Sequence, residues 1–270
     1  MPASPSEIAA ESLVALDTRR QIAPFVACDA GFDVEAARPV IAALRALRAA
    51  RGETPVGRKI GFTNRGIWDE YGVYAPIWGH MYDTTVHDVS PGETVTVSHL
   101  PEPRIEPEIV LGLGGDLRPG MDLAAIAGAI DWVAHGFEIV QSIYPGWAFA
   151  AADCIADGGL HGALLVGPRR CLSDAERATL VKDLSALRVT LLRDGAAVDS
   201  GSGANVLDGP LQALSHLVAV LADDPFNPPL AAGEMVTTGT MTRAFPVRPG
   251  ETWATAIEGY PLPGLSVTLR

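Results

Sequence analysis

The sequence predicts an α+β protein, helical at its start and strand-rich beyond. Three observations carry that prediction. Apolar residues recur at helical spacing before Gly52. After Gly52, short apolar runs with strand-like patterning follow one another between turn residues. The later helical patterns are too few and too irregularly placed for a doubly wound sheet. With 270 residues, 48% of them hydrophobic, the chain can build one large core, or a core with a small N-terminal subdomain. The expected division is a helical segment over 1–55, packed on a β-rich domain over 56–270.

Ser4-Pro5-Ser6-Glu7 places Ser at an N-cap, Pro at N1 and Glu at N3, a capping box. Ile8, Leu13, Val14 and Leu16 give this first helix an apolar face. A second helix starts after Asp33, carries Val40, Ile41, Leu44 and Leu47, and ends at Gly52. Val56 to Phe62 then reads as a strand. The segment from Thr63 to Asp83 mixes Gly, aromatic and polar residues and reads as a structured loop. Strands are expected at Glu93 to Val97 and Ile105 to Leu113, and a helix over Asp122 to Trp132. Gly136 to Val140 and Ala163 to Val166 are further strands. Leu187 to Leu192 and Ala197 to Ser200 flank Asp194-Gly195 as a hairpin. Pro210 to Leu221 is a helix, and Met235 to Thr238, Thr252 to Ile257 and Leu265 to Leu269 are strands. No GxGxxG or GxxxxGK[ST] occurs, so no nucleotide cofactor is indicated.

The formal net charge is −12 and no basic stripe interrupts it. Nucleic acid and anionic membrane are therefore poor partners. Cys28, Cys154 and Cys171 are odd in number and form no CxxC, which fits a reducing cytoplasm. Met1 to Ser12 lacks the apolar stretch of a signal peptide. No apolar run approaches the roughly 20 residues of a membrane span. The expectation is a soluble cytoplasmic protein.

Three glutamates are the most informative residues. Glu106 and Glu108 lie in Arg104-Ile105-Glu106-Pro107-Glu108-Ile109, and Glu138 in Phe137-Glu138-Ile139-Val140. Each interrupts a run that otherwise reads as buried strand, and carboxylates are seldom buried without a partner. Residues two apart on a strand share a face. Pro107 also admits a solvent-facing edge strand, but Glu138 among apolar neighbours favours a shared site. Oxygen ligands without a Cys pair favour Mg²⁺ or Mn²⁺ over Zn²⁺. Lys59, in Gly57-Arg58-Lys59-Ile60-Gly61-Phe62, is a candidate carboxylate anchor or acid/base, or simply a strand-end lysine. His135 and His161 can carry proton chemistry or be satisfied core residues. Asp153 and Asp157 read as loop or cap residues. Gly201 and Gly203 fit either a ligand's close approach or a tight turn.

In order, Gly57 to Thr63, Gly72-Val73, Pro76-Ile77-Trp78-Gly79, Arg104 to Ile109, Phe137 to Val140, Ala156-Asp157, Ser200 to Gly203 and Thr238-Gly239-Thr240 form a recognisable set. From about Ile41 onward the chain resembles the hydratase/decarboxylase branch of the fumarylacetoacetate hydrolase superfamily. The resemblance implies a mixed, barrel-like roll of strands, and Mg²⁺ or Mn²⁺ held by Glu106, Glu108 and Glu138. It implies an active-site lysine at Lys59, substrate contacts that include Thr240, and a homo-oligomer. The implied substrate is a small 2-oxo or 2-hydroxydienoic acid from aromatic catabolism. Such an acid chelates a metal through its carboxylate and C2 oxygen, and the metal stabilises an enolate. Hydration, decarboxylation, tautomerisation and carbon–carbon hydrolysis all remain open from there.

Two departures bear on that choice. Ile77 stands where the family's hydratases carry an aspartate, and Gly158-Gly159-Leu160 replaces a polar Asn-Ala-Ser. Ile77 and Leu160 are thus expected to shape an apolar distal pocket, which suits loss of CO2. His161 or His135 then becomes a replacement acid/base. Arg58, Arg65, Arg104 and Arg243 are candidate anchors for a second substrate carboxylate. A histidine bonded to an acidic residue beside the metal would favour the hydrolase alternative. Loss of two polar groups also leaves room for a non-catalytic partner subunit with a structural metal.

Overall fold

The computed structural model describes residues 3–270, apart from the Tyr71 side chain. Met1 and Pro2, at the head of the segment expected to be helical, lie outside the described residues. Helices α1 (Pro5–Asp17), α2 (Phe25–Cys28) and α3 (Val34–Ala50) come first. The capping box forms: Glu7 N–H reaches the Ser4 hydroxyl, and Ser4 N–H donates to Glu7 Oε2 at 2.7 Å. Asp33 caps α3 by accepting from Ala36 N–H at 3.0 Å. Leu13 of α1 and Ile41 and Leu44 of α3 pack into one core with Ile60 and Ile77 from the strands.

The chain continues through β1 (Pro55–Gly61), α4 (Trp68–Tyr71), β2 (Ile77–Tyr82), β3 (Val86–Asp88), β4 (Glu93–Val95), β5 (Arg104–Leu113), α5 (Leu123–Gly128) and β6 (Ile130–Val140). Next come α6 (Ala151–Ala156), β7 (His161–Val166), β8 (Arg170–Cys171), α7 (Asp174–Ala186), β9 (Arg188–Arg193), β10 (Ala196–Ser202) and α8 (Pro210–Ala222). Strands β11 (Met235–Thr237), β12 (Phe245–Pro246), β13 (Thr252–Glu258) and β14 (Ser266–Leu269) complete it.

Two mixed sheets result. The larger runs β2-β1-β11-β5-β6-β7-β3, with β12 on β5 and β8 on β6, and curls as a half-barrel. The smaller runs β10-β9-β13-β14-β4. Ile105, Phe137 and Ile139 of the larger sheet pack against Leu191, Trp253 and Val267 of the smaller one. Opposite-parity residues of β5 and β6, the three glutamates among them, therefore face away from that sandwich. The β9–β10 hairpin turns on Asp194 (φ 51°) and Gly195 (φ 81°), the two left-handed residues a type I′ turn requires.

Beyond short elements such as α2, β3 and α6, which were not expected, three stretches differ most from the sequence expectation. The segment from Thr63 to Asp83 is not all loop: it contains β2, antiparallel to β1. Every residue of β2 is buried, so it lacks the alternation that marks a half-exposed strand. The expected helix over Asp122 to Trp132 stops at Gly128, and Ile130 already begins β6. Helix α7 was not expected, because it buries only Leu180 and Leu184 and so has hardly any apolar stripe. Its signal was the Ser173/Glu176 capping box.

Gly201 and Gly203 serve backbone packing rather than a ligand. A Cβ at Gly201 would fall 1.9 Å from the Met241 carbonyl oxygen, and one at Gly203 1.8 Å from that of Leu184. Gly79 of β2 has the same requirement, with the Gly158 carbonyl oxygen 1.9 Å from a would-be Cβ. The contact is backbone on both sides, so relief requires moving β2 away from the turn after α6. Gly79→Ala is expected to cost about 1–3 kcal/mol by overpacking, read as a lowered urea midpoint. An unchanged midpoint would show that this approach is not tight.

Candidate metal centre and substrate cleft

Strand pairing assembles the centre. Glu106 of β5 stands directly opposite Glu138 of β6, and Glu108 follows two residues along the same face. Ligand oxygens of Glu106, Glu108 and Glu138 all lie within 4.8 Å of one another. Glu108 and Glu138 are fully buried, Glu106 partly so. Lys59 reaches the cluster from β1, with Nζ 3.1 Å from Glu138 Oε2. The other Glu138 oxygen lies 2.8 Å from His161 Nδ1, whose ring continues to Thr85 Oγ1 at 2.9 Å through Nε2. Gly239 N–H donates to Glu108 Oε2 at 2.7 Å. Gly239 is held at φ +100°, and a Cβ there would sit 1.7 Å from Thr63 Oγ1. Only glycine brings that N–H to the carboxylate.

The electrostatics are those of an overfilled site. Burial lifts Glu106 to about 7, against the pull of Lys59 and with the charge of Glu138 adding to it. Burial and the neighbouring carboxylates also hold Glu108 well above the ordinary range. Glu138 goes the other way: burial raises it, but Lys59 and His161 together outweigh burial. Burial opposes the charge on Lys59, and the three carboxylates more than restore it, so it remains an ammonium. Burial lowers His161, whose Nδ1–H as a neutral ring donates to Glu138.

These residues fit a hard divalent cation. Three carboxylates against one ammonium leave a charge of −2 when all are ionised. Glu108 Oε1 is buried with no hydrogen-bond partner among the described residues. An orphaned acceptor of this kind is costly unless something cationic meets it. All-oxygen donors match Mg²⁺ or Mn²⁺.

Beside the centre lies a cleft. Lys59, Glu106 and Thr240 contribute its polar lining, and Phe62, Ile67, Val140, Trp147, Leu160 and Ala244 much of the rest. The Thr240 hydroxyl donates to the Thr242 carbonyl at 3.0 Å. Ile77 is not among the lining residues; it pairs with Gly61 across β1 and β2, its Cγ1 3.3 Å from where a Gly61 Cβ would stand. Arg104 stacks over the Trp147 ring at 4.2 Å. A separate cavity across the Gly158-Gly159 turn is lined by Arg48, His80, Tyr82, Asp157 and His161. Asp157 there accepts from Gln141 Nε2 through both oxygens, at 3.1 and 3.0 Å.

The structure thus brings together Glu106, Glu108, Glu138, Lys59, Leu160 and Thr240, with His161 behind Glu138. It does not bring in His135. That ring lies on the opposite face of β6, donates from Nδ1 to the Glu108 carbonyl at 3.0 Å, and meets Thr255 Oγ1 at 2.8 Å. Burial lowers it to about 4, so it is a neutral link between the sheets. Sequence reasoning missed Thr85, Trp147 and the Gly239 N–H. Only Gly239 carried a signal, as the glycine between two threonines.

Comparison with known proteins agrees with this geometry. The fumarylacetoacetate (FAA) hydrolase C-terminal family matches residues 80–265. The 2-hydroxyhexa-2,4-dienoate hydratase of Comamonas testosteroni is 30% identical over 246 residues, 91% of this chain and 90% of that one. The 2-keto-4-pentenoate hydratase of Paraburkholderia xenovorans (strain LB400) is 31% identical over 257 residues, covering 94% and 91%. The solved 4-oxalocrotonate decarboxylase from Pseudomonas putida G7, complexed with magnesium and adipate, superposes with a TM-score of 0.88 at 29% identity, covering 98% of this chain and 97% of that one. Sheet topology, the placement of three glutamates and these likenesses together make the chain a member of the fumarylacetoacetate hydrolase family.

Proposed function

We propose that the chain is a metal-dependent lyase that hydrates or decarboxylates a small 2-oxo or 2-hydroxydienoic acid from the breakdown of aromatic compounds. The observation that carries this reading is one cleft holding Glu106, the Lys59 ammonium and an apolar wall, with Glu106 part of a buried three-carboxylate cluster. The relatives named hydratase and decarboxylase support it. So does the magnesium in the solved decarboxylase.

Glu106, Glu108 and Glu138 would hold Mg²⁺ or Mn²⁺. Once bound, such a cation supplies Lewis acidity to the carboxylate and C2 oxygen of a chelating 2-oxo acid. Lys59, an ammonium beside Glu138 in the cation-free protein, would contact the anionic substrate and take part in proton transfer. His161 and Gly239 N–H orient Glu138 and Glu108 from behind, as positioning groups. Leu160 and Thr240 would contact the substrate, and Arg104 would act through Trp147, on which it stacks. We place the enzyme in the cytoplasm, in keeping with its free cysteines, and expect a homo-oligomer on the family resemblance. No helix among the described residues is long and apolar enough to cross a membrane.

The His161–Glu138 bond is the kind of contact that favours a carbon–carbon hydrolase. Here, however, His161 lines the cavity behind Glu138 rather than the cleft, and Thr85 occupies its second nitrogen. It is poorly placed to activate water against a substrate, and the lyase reading is the better supported.

The test is a metal-dependent ultraviolet assay on chelator-treated protein with 2-hydroxydienoates and 4-oxalocrotonate, with products identified by NMR. Turnover should require Mg²⁺ or Mn²⁺. Glu106→Gln should lower kcat/KM by at least about 100-fold, since even groups behind metal ligands cost 10–100-fold. Undiminished activity would refute the ligand set.

Cation binding should also depend on pH in one direction. The cation needs ionised carboxylates, and Glu106 takes up a proton as pH falls through about 7. Affinity should therefore fall by about tenfold per pH unit below that point for each proton displaced. In the cation-free protein the contribution of Glu106 to stability follows the opposite trend, against that of the buried neutral histidines His80 and His135. A raised carboxyl contributes stability below its ordinary range and loses it as pH rises through about 7. Calorimetric titration with Mg²⁺ at about pH 6 and about pH 8 checks the first trend, and the difference in thermal melting between the wild type and Glu106→Gln across that range, without cation, checks the second. Tighter binding at the lower pH would contradict the assignment.

A further inference from the structure

Three bulky residues of the cleft share an unusual backbone. Phe62, Trp147 and Leu160 all have positive φ, at 55°, 60° and 62°, and all three line the cleft. Non-glycine residues rarely adopt this region, and large side chains there are strained. They come from three different connections, after β1, before α6 and before β7, so no single turn motif accounts for them.

Each is pinned by hydrogen bonds that compensate the strain. The Phe62 carbonyl accepts from the Trp68 indole at 2.8 Å. The Trp147 indole donates to the Glu102 carbonyl at 3.1 Å. The Leu160 carbonyl accepts from Gln141 N–H at 2.9 Å. The rings are braced further through Phe149, whose centroid lies 6.4 Å from that of Phe62 and 6.0 Å from that of Trp147. Strain held in place at three separate points indicates a surface whose shape matters. What the three residues present to the cleft is hydrocarbon and aromatic ring.

The cleft's charges point the same way. Among the described residues, its lining contains one cation, Lys59, which is already paired with Glu138. Arg104 lies outside the lining, against the Trp147 ring, where its charge acts on Glu106, and Arg65 and Arg243 are paired with Asp208 and Glu70 at exposed positions. A second substrate carboxylate would lose its hydration here without a facing cation in the lining. A hydrocarbon tail would lose nothing.

We propose that Phe62, Trp147 and Leu160 are specificity-determining residues that select a substrate whose distal end is an alkyl or aryl group, and that reject a distal carboxylate. This rests on the 2-oxo acid reading above and narrows it, since a substrate with no second carboxylate cannot be decarboxylated at that end.

The experiment measures binding separately from turnover. With Mg²⁺ present, calorimetry compares 2-oxobutanoate, 2-oxohexanoate and 2-oxoadipate. The last two share a chain length and differ in a methyl against a carboxylate. Affinity should rise about fourfold per added methylene, and 2-oxoadipate should bind on the order of 100-fold more weakly than 2-oxohexanoate. Leu160→Asn keeps a residue type that tolerates left-handed backbone and should cut that preference by about tenfold. Equal or tighter binding of 2-oxoadipate, or failure of both acids to bind, would overturn the proposal. The same binding order without turnover of any dienoate would refute the lyase reading and leave the tail preference standing.

Discussion

Three carboxylates with ligand oxygens within 4.8 Å of one another, facing a single ammonium across a buried strand face, set the terms for the rest of this structure. Like charges this close in a low-dielectric interior cannot all stay ionised without compensation. Lys59 and His161 both act on Glu138. That carboxyl therefore keeps its charge, while Glu106 and Glu108 are pushed toward protonation. A divalent cation would remove the conflict. The fold keeps a locally unfavourable arrangement because strand pairing fixes Glu106 against Glu138, and packing elsewhere holds the strands.

Glycine placement follows from that constraint. The Gly158-Gly159 turn packs so closely on β2 and on the Lys59 stem that a Cβ at Gly159 would fall 2.9 Å from Lys59 Cδ. This turn and Gly79 together confine the lysine in a narrow slot that aims Nζ at Glu138. Gly239 does the same work on the other side by lending its N–H to Glu108. The cleft wall uses the left-handed region without glycine. Phe62, Trp147 and Leu160 accept backbone strain because their side chains are needed where they stand. Glycines thus hold the charged groups, and strained large residues shape the apolar wall.

Much of the centre was legible in the sequence, because β parity is a local rule. Glu106 and Glu108, two apart in an apolar strand, had to share a face, and Glu138 broke the same apolar pattern. The capping box at Ser4 and the turn at Asp194-Gly195 were legible for the same reason: each is decided within four residues. What escaped was whatever depends on long-range contact. Strand β2 is buried on both faces by elements distant in sequence, so its pattern carried no period. Trp147 is held at the cleft by partners distant in sequence, Glu102 and Arg104. Helix α7 has so little buried surface that its apolar residues hardly repeat.

The two histidines show how far the local rule reaches. His135 and Glu138 are three apart on one strand, so they point to opposite faces. That spacing alone separates His135 from the carboxylates, and the structure buries it against Thr255 in the other sheet. His161 is on the neighbouring strand β7, opposite Val140 beyond an irregularity in the β6–β7 pairing. No single-strand spacing could have placed it, and the register irregularity is part of what sets its ring beside Glu138. Once there, its Nδ1–H serves the carboxylate and its Nε2 meets Thr85, so both nitrogens are engaged away from the cleft. Among the residues lining the cleft, Lys59 is then the cation that faces it, kept as an ammonium by the three carboxylates against the effect of burial.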